Sequence, residues 1–313
     1  MLCKKKCPKC HSRNTKKNGR RNRKQCYKCF GCGKRWGGTK TKDNKWIKSA
    51  YRKYASGRQT LNLLSEDFGV CPRTLKKYFD SHCPVTGEIF IPQKPVNLIM
   101  DATFFTRGNG ILIVRANSKN LLWIEIETES AEDYERLILS LEEAGMLFSS
   151  FVIDGRRGVL HMILKKFPGT PVQFCQFHQI QIVTRYLSKK PKLEAGKELR
   201  RLTLMLTKTD GRTFTDSLNK WNEKWNDFLA EKTVDPTNGR WHFTHGRLKS
   251  ACRSLKTNLP YLFTYLDYPE LKIPNTTNSC DGSFAHWKGK LGVHRGLAKE
   301  RRRKMMNYLL ENS

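Results

Sequence analysis

The chain has 313 residues, with 59 Lys and Arg against 28 Asp and Glu, a net charge of +31. That excess repels itself unless a polyanion is nearby, so nucleic acid is the expected partner. An apolar content of 38% with seven Trp excludes a purely disordered basic tail and supplies a sizeable core. No apolar run approaches the roughly 20 residues of a membrane span, no helix pairs a basic face with a Trp/Leu face, and no apolar stretch follows the basic start, so neither a membrane nor secretion is expected.

Six of the eleven cysteines fall within the first thirty-two residues. Clustering of this kind in a basic chain points to metal and a reducing compartment rather than a disulfide framework. Cys7-Pro-Lys-Cys10 and Cys29-Phe-Gly-Cys32 form a C-x2-C-x18-C-x2-C pattern, the spacing of a tetrahedral zinc site with four thiolates and no open position. The site is therefore expected to be structural. Cys26 offers an alternative knuckle with Cys29, but Gly33 directly after Cys32 favours Cys29 and Cys32. Cys3 and His11 read as bystanders. Residues 1–48 carry eighteen Lys and Arg against one acid, Asp43. Lys16, Lys17, Arg20, Arg21, Arg23 and Lys24 are expected in a loop between the knuckles, where they would grip phosphates.

Residues 44–80 read as three helices. Trp46, Ile47, Ala50, Tyr51 and Tyr54 recur at helical spacing, and Ser56-Gly57 ends the first helix. Thr60 is placed to cap a second, with Leu61, Leu63 and Leu64 facing inward. Phe68-Gly69-Val70 makes a tight turn, and Pro72 opens a third helix at the position where its missing N–H costs nothing. Two helices joined by a short glycine turn, the second basic, form a helix-turn-helix pattern. Arg73, Thr74, Lys76 and Lys77 would then face a DNA groove or its phosphates. An ordinary three-helix unit is the alternative.

Prolines between Cys83 and Pro95 mark a linker or domain entry. Strands are expected over 96–105, 110–116 and 121–127, with a polar turn at 117–120. A helix over 132–146 presents Tyr134, Leu137, Ile138, Leu141 and Ala144 on one face. A strand over 151–155, a helix using Val159, Leu160, Ile163 and Leu164, and a strand over 171–174 complete an α/β layer. Two of these apolar strands each carry one acid, Asp101 in LIMD and Asp154 in FVIDG. An acid in a buried strand is unfavourable unless something pairs with it. A divalent cation held by both at the sheet's edge is the simplest compensation. Residues 189–268 read as helical without a clear strand. Two apolar stripes there, Phe214, Leu218, Trp221, Trp225 and Phe228, then Leu248, Cys252, Leu255 and Leu259, are core rather than a cofactor box. Asp281 then opens a basic C-terminal helix and is placed to rejoin Asp101 and Asp154. Glu270, between prolines, is the second choice.

The order of zinc ribbon, helix-turn-helix, LIMDATFF, FVIDGRRG, CQFHQI, helical insertion and NTTNSCDG resembles insertion-sequence transposases of the Mutator-like DDE superfamily, over nearly the whole chain. Its most specific parts are Cys175-Gln-Phe-His178 and the Thr277-Asn278 tract. The resemblance implies an α/β, RNase H-like catalytic core with an all-helical insertion, and two Mg²⁺ ions (or Mn²⁺) on Asp101, Asp154 and Asp281. The family normally has Glu at the third position, where this chain has Asp281. It implies a zinc ribbon over 1–40, a helix-turn-helix over 41–82, core segments over 83–188 and 273–313, and the insertion over 189–272. Cys175 and His178 match a family C-x2-H pair that could bind metal or phosphate or brace the core. Two-metal chemistry would activate a water or a DNA 3′-hydroxyl for in-line attack and stabilise the leaving oxygen. His286, Lys288, Lys290, His294, Arg295 and the run from Arg301 to Lys304 would clamp a strand or target backbone. Double-stranded DNA (element ends and target) is the implied partner, bound by at least a dimer at the bacterial nucleoid in the cytoplasm. A non-catalytic DNA-binding regulator and a stand-alone nuclease are the rival functions.

Overall fold

The computed structural model describes residues 5–21, 24–37, 45–81 and 92–313, in two compact units, residues 1–83 and 84–313. Cys3, Arg23, Asp43 and most of the expected linker, Pro84 included, lie outside the described residues.

In the first unit, β1 (Thr15–Arg21), β2 (Lys24–Cys29) and β3 (Arg35–Gly37) form an antiparallel sheet. The basic residues expected in a loop therefore lie on strands: Lys16, Lys17, Arg20 and Arg21 on β1, and Lys24 on β2. No residue of β1 is buried and all seven of its residues, TKKNGRR, lack an apolar side chain, so the strand carries no period-2 hydrophobic signal. Three helices follow, α1 (Lys45–Ala55), α2 (Leu61–Phe68) and α3 (Pro72–Ser81). The Thr60 side chain accepts from the Leu63 N–H, and Gly69 takes the left-handed conformation at φ 58° to end α2. Ala50, Tyr51, Tyr54, Leu64, Leu75 and Phe79 are buried, whereas Leu63 is exposed. Leu63 neighbours Leu64 in sequence but points about 100° away around the helix.

The second unit is built on β4 (Val96–Thr106), β5 (Asn109–Ala116), β6 (Lys119–Ile126), β7 (Phe148–Ile153) and β8 (Val172–Phe174). Their spatial order is β6-β5-β4-β7-β8, the first three antiparallel and β4, β7 and β8 parallel. The turn between β5 and β6 uses left-handed Asn117 and Ser118. Helices α4 (Ala131–Glu143) and α5 (Arg157–Lys166) make the crossovers that parallel pairing requires. Tyr134, Leu137, Ile138, Leu141, Val159, Leu160 and Ile163 pack into one core with the sheet. Ala144 and Leu164 are exposed: α4 ends before Ala144, and Leu164 sits on the outer side of α5.

The α6 helix (Gln176–Leu187) leads into α7 (Glu194–Leu204), α8 (Gly211–Lys224) and α9 (Asn226–Ala230). A hairpin of β9 (Lys232–Val234) and β10 (Trp241–Phe243) interrupts this region, contrary to the expectation of helices alone. Its strands have three residues each, too short for a period to register. Then come α10 (Gly246–Asn258), α11 (Thr264–Asp267), α12 (Asn278–Val293) and α13 (Lys299–Glu311). Phe214, Leu218, Trp221, Leu248, Cys252 and Leu255 join the same core as the sheet, with Trp225, Phe228 and Leu259 packed against it. Among the described residues, no helix is long and apolar enough to cross a membrane.

Candidate active site and metal centres

Parallel pairing of β4 with β7 runs to Ile99↔Val152. Each acid follows two residues later, so Asp101 on β4 and Asp154 just beyond β7 come at matching positions along the two neighbouring chain segments. Asp101 is buried, and its Oδ1 accepts the Ala102 N–H at 2.8 Å. Asp154 is half-buried, just past the end of β7. Gly155 follows at φ 93° with the Phe174 ring 3.3 Å from where a Cβ would stand, so the turn that presents Asp154 needs a glycine.

Asp281 lies in the first turn of α12, half-buried, and its Oδ2 is buried with no hydrogen-bond partner. One ligand atom each from Asp101, His178 and Asp281 lie within 4.8 Å of one another. Asp154 is outside that set. It is engaged by Arg156, whose N–H donates to Asp154 Oδ1 at 3.1 Å and whose Nε is 3.6 Å from Oδ2. Arg156 also reaches Glu129 Oε2 at 2.5 Å, and Tyr134 donates its hydroxyl to Glu129 Oε1 at 2.5 Å. Glu270 is exposed in a short 3-10 turn and takes no part.

The electrostatics are those of a site short of positive charge. Burial pushes the Asp101 pKa up to about 7, with Asp281 and Asp154 adding to it and His178 opposing. Burial also raises Asp281, against the pull of His178, Thr277 and Lys288. Burial lowers His178, but its bond with Cys175 and the charges of Asp101, Cys175 and Asp281 outweigh that and carry it to about 9. The acids thus favour the protonated form of His178, and Arg156 supplies a second positive charge at Asp154. An unpaired buried carboxylate oxygen beside a second buried acid suits a hard divalent ion.

The C-x2-H pair divides its work. His178 joins the acids. Cys175 is buried at the N-terminus of α6, where its Sγ accepts the His178 N–H at 3.5 Å and the Thr277 N–H at 3.2 Å. The sulfur braces the turn before α12 against the start of α6. Gln176 reinforces that brace, donating from its backbone to Asn275 O at 3.0 Å and accepting from the Asn275 side chain at 3.0 Å.

Arg115, Glu129 and Gln176 lie outside the candidates that the sequence singles out. Arg115 carried a usable signal: it is a charge inside the apolar strand GILIVRA, just as Asp101 is inside its own. Beyond Asp281, Lys288 Nζ lies 5.7 Å from the Phe105 ring, whereas His294 is buried and so is not placed to clamp a strand.

In the first unit, the sulfurs of Cys7, Cys10, Cys29 and Cys32 gather within 4.8 Å of one another. Cys7 Sγ is 3.6 Å from Cys32 Sγ, and Cys10 Sγ is 3.5 Å from Cys29 Sγ. Four thiolates about 2.3 Å from one zinc would stand about 3.8 Å apart, so the set fits that ion. The two knuckles repeat one geometry. Cys7 N donates to Ser12 O and His11 N to Cys7 O; Cys29 N donates to Lys34 O and Gly33 N to Cys29 O. His11 and Gly33 both have positive φ, at 55° and 72°. His11 is therefore a backbone element of its knuckle, more than a bystander. Burial raises the Cys7 thiol, but the N–H groups of Cys10 and Lys9 and the neighbouring thiols outweigh it and bring its pKa down to about 6. Cys26 stays outside the group, its sulfur facing Lys24 O. Arg73, Lys76 and Lys77 are exposed on α3, and Thr74 is half-buried with its Oγ1 3.1 Å from Cys71 Sγ. Arg20 and Arg21 are exposed on β1.

A model of the family described as Transposase, Mutator family matches residues 111–279, just over half of the chain. The matched span runs from β5 into the start of α12. It includes Asp154, Cys175, His178 and Thr277, while Asp101 and Asp281 stand just outside its two ends. Comparison with curated proteins gives no match.

Proposed function

The chain belongs to the Mutator family of transposases, and from that premise we propose that it cuts and joins DNA at a DDE-type centre of Asp101, Asp154 and Asp281 on an RNase H-like core. The sheet order, with three antiparallel strands followed by two parallel ones, supports that core. The observation that carries the reading is the buried, unpartnered oxygen of Asp281 beside buried Asp101. Leaving a carboxylate oxygen so costs stability unless a cation takes it.

Asp101 and Asp281 would hold one Mg²⁺ (or Mn²⁺), and Asp154 would join once released from Arg156. Bound there, the metal ions supply Lewis-acid activation of a water or 3′-hydroxyl and stabilisation of the leaving oxygen. His178, with a ring nitrogen within 4.8 Å of the ligand atoms of Asp101 and Asp281, would stand beside the ion they share. Lys288, two turns beyond Asp281, is set to hold a backbone phosphate. A structural zinc on Cys7, Cys10, Cys29 and Cys32 would fix the β1–β2 hairpin, so that Arg20 and Arg21 grip phosphates while Arg73, Thr74, Lys76 and Lys77 meet a groove of the element's ends. Pairing two ends calls for at least a dimer, acting at the nucleoid.

The test is Mg²⁺-dependent cleavage and joining of a labelled duplex carrying the element's ends, with Asp281→Ala beside the wild type. Joined product that the variant loses is the expected result. Tight, salt-sensitive binding without cleavage in either protein would reject catalysis and leave a DNA-binding regulator.

A further inference from the structure

Asp281 meets Asp101, on the central strand of the sheet, from a helix, and an aspartate has the shortest carboxylate arm available. The helix must therefore be drawn close to β4. Thr277 fastens the approach to α12 on one side, its Oγ1 lying 3.2 Å from Asp101 Oδ2. The fastening on the helix itself comes from Arg115.

Arg115 is buried on β5, directly across from Ile99 of β4. Its guanidinium is a two-armed clamp. Nη1 donates to Ser279 O and, at 2.6 Å, to Ser283 Oγ, both in the first turns of α12. Nη2 donates to Ser118 O at 2.9 Å, a carbonyl presented by the left-handed β5–β6 turn. Asp281 lies between the two serines that Arg115 holds. The groups held are two carbonyls and a hydroxyl, none of them a carboxylate, and Nε is buried without a partner. A buried guanidinium with no carboxylate among its described partners is costly, and an apolar side chain would fill the site with less penalty. Its planar fork does what an apolar chain cannot: it fixes the distance between helix and sheet.

We infer that Arg115 is the positioning residue that docks α12 closely enough for the short arm of Asp281 to share a divalent cation with Asp101. The inference rests on the reading of Asp101 and Asp281 as a cation-binding pair. It makes side-chain length at position 281 and the fork at position 115 interdependent. With the clamp intact, a glutamate at 281 overshoots. With the clamp loosened, the longer arm makes up the distance.

The experiment is a double-mutant cycle on the zinc-loaded full chain, titrated with Mn²⁺ and read by the electron paramagnetic resonance signal of the free ion. The variants are Arg115→Lys, Asp281→Glu and the two combined. Groups that orient metal ligands typically change affinity by about 10- to 100-fold, so each single change is expected to weaken Mn²⁺ binding about tenfold. The double variant is expected to return to within about threefold of wild type, a coupling that a residue holding the fold alone would not show. A double variant weakened by the product of the single effects overturns the inference. Should Arg115→Lys fail to fold, Ser283→Ala loosens the same clamp by one hydrogen bond and takes its place in the cycle with the same two outcomes. Asp281→Ala separates the underlying reading: Mn²⁺ binding unchanged by it rejects the cation-binding pair itself, whereas lost binding with an additive cycle rejects only the role of Arg115.

Discussion

Thr277 Oγ1 stands 3.2 Å from Asp101 Oδ2, joining the turn before α12 to the middle of a strand 176 positions earlier. The same hydroxyl is 3.4 Å from Cys175 Sγ and 3.3 Å from His178 Nδ1. Its one proton serves Asp101 Oδ2 or Cys175 Sγ, and a protonated His178 Nδ1 donates to its oxygen, so it acts as a junction among the elements that bring Asp101, His178 and Asp281 together. Thr277→Val keeps the shape and deletes the proton, and leaves buried acceptors short of a donor. Such a loss costs about 1–3 kcal/mol. Urea unfolding is expected to show that loss, and Mg²⁺-dependent cleavage is expected to fall with it. Thr277→Ser, which keeps the hydroxyl, should retain most of both. Equal behaviour of the Val and Ser variants would remove the junction role.

The charge state of Asp101 gives the free protein a distinctive pH dependence. Its pKa rises from an ordinary 3.8 to about 7 on folding. Between those values the folded protein keeps a proton that the unfolded chain has released. The associated stability is fully present below pH 3.8 and is lost as pH rises through about 7. His178, raised from 6.5 to about 9, contributes stability present below 6.5 and lost as pH rises through about 9. In metal-free protein, the melting temperature of wild type should therefore fall relative to Asp101→Asn as pH increases from about 5 to about 8. Mg²⁺ added at the upper end of that range should reverse much of the fall, because the ion takes the place of the proton. Parallel melting curves for the two proteins across that range would contradict the raised pKa.

The zinc assignment separates cleanly from its alternative. Cys26 lies outside the sulfur group, and both knuckles repeat one backbone geometry around Cys7–Cys10 and Cys29–Cys32. Cys32→Ser should abolish stoichiometric zinc, measured by release to a colorimetric chelator after thiol modification, and should weaken DNA binding. Cys26→Ser should keep the metal. Zinc binding energy is folding energy in modules of this size, so chelation should also expose the β1–β2 hairpin to proteolysis. Zinc retained by Cys32→Ser and lost by Cys26→Ser would reverse the ligand choice.

Much of this arrangement was legible because it is carried by local chemistry. The cap at Thr60, the left-handed Gly69 and Pro72 at the start of α3 are fixed by neighbours in sequence, and each stands where the residues place it. Acids interrupting apolar runs marked Asp101 and Asp154 for the same reason. What the residues did not reveal is set by distance in space. The separation of Asp154 from the other acids depends on Arg156 and Glu129, which meet only after α4 and β7 are docked. The division of labour between Cys175 and His178 depends on Thr277, a hundred positions away. The β9–β10 hairpin and the exposed faces of Leu63 and Leu164 reflect tertiary context overriding local preference.

The basic residues of the first unit should divide into those that position and those that specify. Lys76 and Lys77 are exposed on α3, whose opposite side buries Leu75 and Phe79, and Arg20 and Arg21 are exposed on β1. A side chain that neutralises a phosphate releases counterions regardless of base sequence. Removing it should weaken binding evenly across DNA sequences and flatten the dependence of log affinity on log salt by about 1 for each phosphate no longer neutralised. Lys76→Ala, Lys77→Ala and Arg20→Ala are expected to behave in this way in fluorescence-anisotropy titrations at several salt concentrations. Arg73, one residue into α3, is at the helix end that enters a groove in helix-turn-helix docking. Arg73→Ala should therefore reduce the preference for the element's ends over unrelated duplex by about 1–3 kcal/mol, the worth of one bidentate pairing with a base edge. A salt slope unchanged in the lysine variants would mean that α3 does not face DNA, and the grip would then rest on the zinc-stapled hairpin alone.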